Sequence, residues 1–298
     1  MKHIFIINPK SGKEDSTSHI RQQLEKTNVD WEIYNTTAPK DAIRFIRDWC
    51  EKHSEDVRFY ACGGDGTLSE VVNGAAGFPN ASVSCYPCGS GDDFVKNYGG
   101  AERFLDIEKL CRAENQSIDL IKVNDNIYSV NIVNFGFDAY AVKTMNSVRR
   151  KHLIGGNNAY NTGIVAAILK AMKNKAEITV DEKQFFNEKF LLCTVANGQF
   201  IGGKYRCAPR ASLDDGTLDL CLVKTVSVPK FVSLIGLYEK GQHLESKKFE
   251  KYICYTRCKT VNIKASDGFF ISVDGEIYDG TDFKLEVIPK ALKFGIPM

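Results

Sequence analysis

The residues best suited to chemistry sit in glycine-dense loops. Gly63-Gly64-Asp65-Gly66-Thr67 follows an apolar run and precedes a helical pattern that starts at Leu68. With three glycines in four residues, the backbone can come close to a ligand, since no Cβ stands in the way. The helix behind it offers free N–H groups and the positive end of its dipole, which suits a phosphate. Asp65 adds a carboxylate where a phosphate would sit, and that makes sense if a metal ion or a substrate hydroxyl lies between them. A tight turn alone would need only one or two glycines and would leave Asp65 unexplained. Asn8-Pro9-Lys10-Ser11-Gly12-Lys13 lacks the GxxxxGK[ST] spacing of a P-loop. Taken alone it is a turn or an anion site, and beside the Gly63 loop the anion site is favoured.

These loops need a frame. Residues 4–8, 31–36, 57–62 and 82–86 read as strands, and 16–26, 40–52 and 67–75 as helices, with short helices through Arg112. That alternation predicts a parallel sheet with helices on both faces, and such sheets bind ligands beyond the carboxyl ends of their strands. The Asn8 loop, Thr36-Thr37, the Gly63 loop and Cys88-Gly89-Ser90-Gly91 all follow strands, so four loops converge on one edge. The pattern changes near residue 118. Strands are expected at 119–123, 127–135, 176–180, 190–196, 216–224, 252–264, 269–273 and 283–287, with helices at 159–173 and 229–239. Mostly antiparallel strands with tight turns predict a β-sandwich. The expected division is an α/β unit over 1–120 and a β-sandwich over 121–287.

The 298 residues are 43% hydrophobic and 26% charged, with a formal net charge of +2, an ordinary globular composition rather than that of a nucleic-acid binder. Local basic runs exist at Lys143, Arg149, Arg150, Lys151 and His152, and at Lys170, Lys173 and Lys175. They read as solvated helix faces or as contacts to an anionic membrane surface. No apolar run approaches the roughly 20 residues of a membrane span, and the N-terminus reads as a strand rather than a signal peptide. A cytoplasmic protein is expected. The ten cysteines include Cys85-Tyr86-Pro87-Cys88 and the pair Cys254 and Cys258. The irregular spacing and the missing histidine pair favour reduced structural thiols over a zinc site or redox pair.

The chain resembles the diacylglycerol kinase catalytic family, in its soluble bacterial lipid kinase branch, related to sphingosine kinases. The resemblance rests on Asn8-Pro9-Lys10-Ser11-Gly12, Gly63-Gly64-Asp65-Gly66-Thr67-Leu68-Ser69-Glu70, Pro87-Cys88-Gly89-Ser90-Gly91-Asp92-Asp93-Phe94, Asn134-Phe135-Gly136-Phe137-Asp138, Asp214-Asp215-Gly216 and Asp274-Gly275-Glu276, in family order and nearly end to end. It implies a nucleotide-binding α/β unit like those of NAD and diacylglycerol kinases, a β-sandwich unit for the lipid, an active site in the cleft between them, and a C-terminal tail, 288–298, that returns to the first unit. It also implies transfer of the γ-phosphoryl of ATP, with Mg²⁺, to a lipid hydroxyl. Asn8, Pro9, Lys10, Ser11, Gly12, Thr36, Gly63, Gly64, Asp65, Gly66, Thr67 and Ser90 fall on nucleotide-binding positions, and Glu276 on the general base. Asp65 is the candidate for the catalytic metal. Ser212, Asp215 and Thr217 fall on a magnesium site, and Asp93 and Asp119 on acidic positions between that metal and the nucleotide.

Two positions depart from the family pattern: Asp92 stands where Asn is usual, and Ser90 where Thr is frequent. Ser90 keeps the hydroxyl, whereas Asp92 adds negative charge near the phosphates. The expected activity is a lipid kinase, peripheral to the membrane, with diacylglycerol as the leading acceptor. An NAD kinase and a nucleotide-binding regulator without turnover are the rivals, and a second copy of the chain is a partner the sequence leaves open.

Overall fold

The computed structural model describes residues 1–12, 15–150 and 174–298, with side chains on either side of 145–173. Lys13, the basic runs at 149–152 and at 170 and 173, and the helix expected over 159–173 lie outside what is described.

Four parallel strands, β1 (Lys2–Ile7), β2 (Trp31–Asn35), β3 (Val57–Gly63) and β4 (Ala81–Pro87), form the first sheet in the order β4-β3-β1-β2. Every residue of β3 and β4 is buried, as expected of central strands covered on both faces. Helices α1 (Thr17–Leu24), α2 (Asp41–Lys52), α3 (Asp65–Ala75) and α4 (Ile107–Cys111) complete this unit. α2 buries Ala42, Ile46 and Trp49 at helical spacing. It lies so close to α3 that a Cβ on Gly74 would come within 2.9 Å of Ile46 Cβ. α3 starts two residues before the expected position, which puts Asp65 in its first turn.

The second unit is a β-sandwich. Its strands are β5 (Glu114–Val123), β6 (Ile127–Ser129), β7 (Ile132–Gly136), β8 (Asn174–Val180), β9 (Lys183–Phe186), β10 (Lys189–Ala196), β11 (Leu218–Lys224), β12 (Ile253–Cys258), β13 (Thr260–Ala265), β14 (Phe270–Val273), β15 (Glu276–Asp279) and β16 (Asp282–Ile296). One layer runs β15-β14-β7-β10-β11-β12 and the other β9-β8-β13-β16-β5-β6, and β10 also touches β8 at a corner. Alternate residues such as Phe135, Phe190, Leu220 and Ile263 fill the space between the layers. Helices α5 (Phe137–Arg150) and α6 (Val228–Glu239) belong to the outer side of the first layer. The single strand expected over 252–264 is two strands. They part at Lys259, where Asp181 Oδ1 accepts the N–H groups of Lys259 and Thr260 at 3.0 and 2.9 Å.

β16 belongs to both units. Its first half pairs with β13 and β5, and beyond a bulge it pairs with β5 again and runs parallel to β4, Phe294 opposite Val83. The bulge holds Pro289, which has no N–H to give a ladder, and Lys290 at φ 53°. Buried Asp119 secures it, accepting Lys290 N at 2.8 Å and Gly216 N at 2.6 Å. Past the bulge, a Cβ on Gly295 would sit 3.0 Å from Cζ of Arg58. That buried guanidinium donates to the carbonyls of Leu110 and Ala113 at 3.1 and 2.8 Å, at the C-terminal end of α4.

Candidate active site

Loops at the carboxyl edge of the parallel sheet meet, as their order after strands predicts. A Cβ on Gly12 (φ 83°) would lie 2.7 Å from the Cys88 carbonyl, and one on Gly89 2.5 Å from Gly64 Cα. Cys88 N donates to Gly63 O at 3.0 Å. Only glycine permits these approaches. Thr67 folds back on Gly63, 2.2 Å from where its Cβ would be, and Asn8 Nδ2 reaches Thr67 Oγ1 at 3.5 Å. Asn8, Lys10, Ser11, Gly12, Thr36, Gly64, Asp65, Gly66, Thr67 and Ser90 line one cleft. Pro9 and Gly63 stand behind that surface and shape it.

Asp65 Oδ1 accepts the backbone N–H groups of Asp93 at 2.7 Å and Phe94 at 3.4 Å. Burial, and then the neighbouring Asp93 charge, push its carboxyl up to about 6. Asp93 faces the second unit: its Oδ1 accepts Lys96 Nζ at 2.6 Å and Gly203 N at 2.9 Å. Lys96 also bonds the carbonyls of Gly91 and Gly203, tying the two units together beside Asp65. Asp92 takes a left-handed conformation, φ 46°, in which Asn and Asp are tolerated, and its Oδ1 accepts Gly89 N at 3.1 Å. Burial raises its carboxyl too.

Glu276 reaches the same place from the sandwich. Asp274 and Gly275, at φ 45° and 90°, form the two-residue hairpin turn between β14 and β15. The turn puts Glu276 at the head of β15, with Oε1 4.0 Å from a Cβ position on Gly66. Asp274 anchors the turn by accepting Ser129 Oγ at 2.7 Å, Val130 N at 2.8 Å, Asn131 N at 3.2 Å and Ile132 N at 2.9 Å. This clamp was not read from the sequence, because its partners lie more than 140 residues away.

Ser212, Asp215 and Thr217 share one turn, apart from the residues that line the cleft. Ser212 Oγ donates to Asp214 Oδ1 at 2.9 Å, and Thr217 N and Oγ1 to Asp215 Oδ1 at 3.0 and 2.7 Å. Arg257 Nη2 pairs with the other Asp215 oxygen. A divalent cation bound at Asp215 would have to displace that guanidinium. Among the described residues no group of three or more His, Cys, Asp or Glu is arranged to hold a metal, and all ten cysteines are free thiols. Asp119, with its two oxygens on Gly216 N and Lys290 N, braces this turn and lies outside the cleft lining.

The cleft has a volume of about 2210 Å³, beyond the 300–1,000 Å³ or so of a usual small-molecule pocket. Past Glu276 it continues along the outer face of β7 and β10, lined by Ile132, Phe137, Leu192, Val223, Leu234 and Ile235. Ile132 and Phe137 line this arm, and Phe135 is sandwich core. The Asn134 amide, Asp138 Oδ2 and the Tyr238 hydroxyl are buried polar groups at the arm's wall, with the Asn134 amide beside the Asp138 carboxyl. Burial pushes the Asp138 carboxyl up to about 6, partly opposed by the Asn134 amide beside it. Burial, and with it Cys207 and Asp138, pushes the Tyr238 hydroxyl well up. Gly136 (φ 89°) turns strand into helix and brings Asn134 and Asp138 together, a sequence signal seen only as a motif.

Residues 2–123 match the diacylglycerol kinase catalytic domain, and residues 131–295 the YegS C-terminal NAD kinase beta sandwich-like domain. The diacylglycerol kinase of Bacillus subtilis (strain 168) is 28% identical over 284 residues, covering 91% of this chain and 88% of that protein. A YegS-like lipid kinase of Shewanella frigidimarina is 27% identical over 297 residues, covering 96% and 92%. In fold, the chain matches the crystal structure of a diacylglycerol kinase from Bacillus anthracis str. Sterne at a TM-score of 0.72 and 22% identity, over 99% of this chain and 96% of that one. An NAD kinase from Archaeoglobus fulgidus in complex with ATP matches at 0.51 and 12% identity, over 100% and 94%.

Proposed function

The chain belongs to the diacylglycerol kinase catalytic family and is a lipid kinase, and from that premise we propose that it transfers the γ-phosphoryl of ATP, with Mg²⁺, to the hydroxyl of a membrane lipid, diacylglycerol first among them. The observation that carries the reading is the meeting of Glu276, from the sandwich, with Gly66, at the start of α3. The Gly63 and Asn8 loops and the N-terminus of α3 hold the phosphates through backbone N–H groups. Asp65 fits a hard cation, being a carboxylate raised by burial and then by its acidic neighbour. Mg²⁺, when bound, neutralises phosphate charge as transfer proceeds. Asp92 stays bonded to its own loop and leaves that role to Asp65.

Glu276 accepts the proton of the acceptor hydroxyl as its oxygen bonds to the γ-phosphorus. The bond to the bridging oxygen of ADP breaks, and the products are ADP and a lipid phosphate. The apolar arm holds the acyl chains, with the buried Asn134, Asp138 and Tyr238 groups in its wall. The test is acceptor-dependent ADP release with diacylglycerol, other lipid alcohols and NAD. Turnover on diacylglycerol supports the reading, turnover on another lipid changes the acceptor, and turnover on NAD alone overturns it.

A further inference from the structure

α6 is apolar on two faces. Phe231, Leu234, Ile235 and Tyr238 follow the i, i+3, i+4, i+7 spacing and line the apolar arm of the cleft. Val228 and Val232, one turn apart and outside that lining, are 40% and 65% exposed. α6 also carries Lys230, Ser233 and Glu239, so it is an amphipathic helix with a second, exposed apolar strip. With 12 residues, α6 is too short for a span, which takes about 20. Such a helix suits the plane of a lipid interface, apolar residues down and cations around it.

The surrounding charge fits. Residues 224–251 contain six lysines against three glutamates, with no aspartate or arginine. One of those glutamates, Glu239, is paired with Lys204 at 2.9 Å. Lys247, Lys248 and Lys251 are exposed. Lys230 and Lys251 stand over the Tyr252 ring, 5.6 and 5.0 Å from its centroid, the amphipathic aromatic and lysine combination that settles at headgroup level.

We propose that α6 docks this protein on an anionic lipid surface, with Val228 and Val232 entering the acyl boundary and the lysines of 224–251 meeting headgroup charge. The inner face of the same helix lines the cleft arm, so an acceptor would pass from bilayer to cleft along α6; that last step rests on the lipid kinase reading, and the docking does not.

The experiment is co-sedimentation of the full chain with phosphatidylcholine vesicles, with and without phosphatidylglycerol, at low salt. Wild type is expected to sediment with the anionic vesicles and to be released by high salt. Val228→Asp/Val232→Asp and Lys247→Glu/Lys248→Glu should each weaken that partition by about tenfold or more, since each lysine near such a surface contributes about 1 kcal/mol. Both variants should keep wild-type melting and wild-type turnover of a water-soluble, short-chain acceptor. Unchanged sedimentation of the valine variant, or no vesicle binding by wild type, overturns the proposal. So does a wild-type dimer that the valine variant splits, because a second copy would then cover the helix. Vesicle binding lost as expected, with no turnover of any acceptor by wild type, would sink the kinase reading and leave the docking standing.

Discussion

The Glu276 carboxylate lies 4.0 Å from the point where a side chain on Gly66 would begin. Gly66 sits in the first turn of α3 with no left-handed strain, so alanine fits the helix and adds helix propensity. Its methyl group would stand in the gap where the acceptor hydroxyl must reach the γ-phosphate. Gly66→Ala is expected to keep or slightly raise the melting temperature while lowering kcat. Glu276→Gln, which cannot take a proton, should lower kcat by about 10²–10⁴-fold with ATP affinity unchanged by calorimetry. If either variant weakens ATP binding in proportion to turnover, Glu276 acts on the nucleotide instead.

Asp274 commits both carboxylate oxygens to the residues 129–132 and so fixes the turn that presents Glu276. Asp274→Asn would set an amide N–H₂ against groups that are all donors, the Ser129 hydroxyl and three backbone amides. A loss of about 2–4 kcal/mol in stability is expected. The informative readout is kinetic: kcat should fall at a temperature where the variant is fully folded, while KM for ATP stays put. A variant that melts early but turns over normally when folded would reduce Asp274 to a structural part.

Asp65 sets a pH dependence whose sign is opposite to that of a salt-bridged carboxylate. Its pKa in the folded state, about 6, is above the ordinary carboxylate value. The folded chain therefore binds this proton more tightly than the unfolded chain, and the ligand-free protein loses stability as pH rises through about 6. A divalent cation beside Asp65 should offset that loss. The gain in melting temperature from Mg²⁺ with a nucleotide is expected to be larger at pH 7.5 than at pH 5.5, roughly the two sides of that titration. Asp65→Asn should flatten the difference; a gain equal at both pH values would remove Asp65 from the cation site.

The Asn134 and Asp138 pair links stability to recognition. Asn134→Leu removes the amide that supports the ionised Asp138 carboxyl, so it is expected to lower stability at pH 8 and to change it less at pH 5. Asp138→Asn should raise it more at pH 8 than at pH 5, because the Asp138 carboxyl, also near 6 when folded, penalises the folded state only once it ionises. Both should raise KM for the lipid acceptor and leave KM for ATP alone. Acceptor kinetics that do not respond would place the polar part of the lipid elsewhere.

The meeting of the glycine-dense loops was legible in the sequence because its cause is local. Glycine density, an apolar strand before it and a helix after it are all visible within a dozen residues, and four such loops after parallel strands can only share an edge. Glu276 was pointed to by the resemblance alone, and the strand it heads, β15, was not among those expected. What the sequence hid is tertiary. Nothing near Asp274 announces Ser129, nothing near Asp215 announces Arg257, and Asn134 looks like an ordinary strand residue until the fold sets its amide beside Asp138. Pro289 hid the second half of β16, because a proline normally ends a strand and here it marks a bulge held by Asp119.

That last strand has a consequence for how the molecule is made. The outer edge of β4 is completed by Phe294 and its neighbours, which are made only after the whole of the sandwich. During synthesis the first unit must wait with that edge open, through the whole emergence of the sandwich, before its sheet can close. A nascent chain, or one cut before the second half of β16, presents a bare apolar strand edge, a natural target for holdase chaperones and proteases.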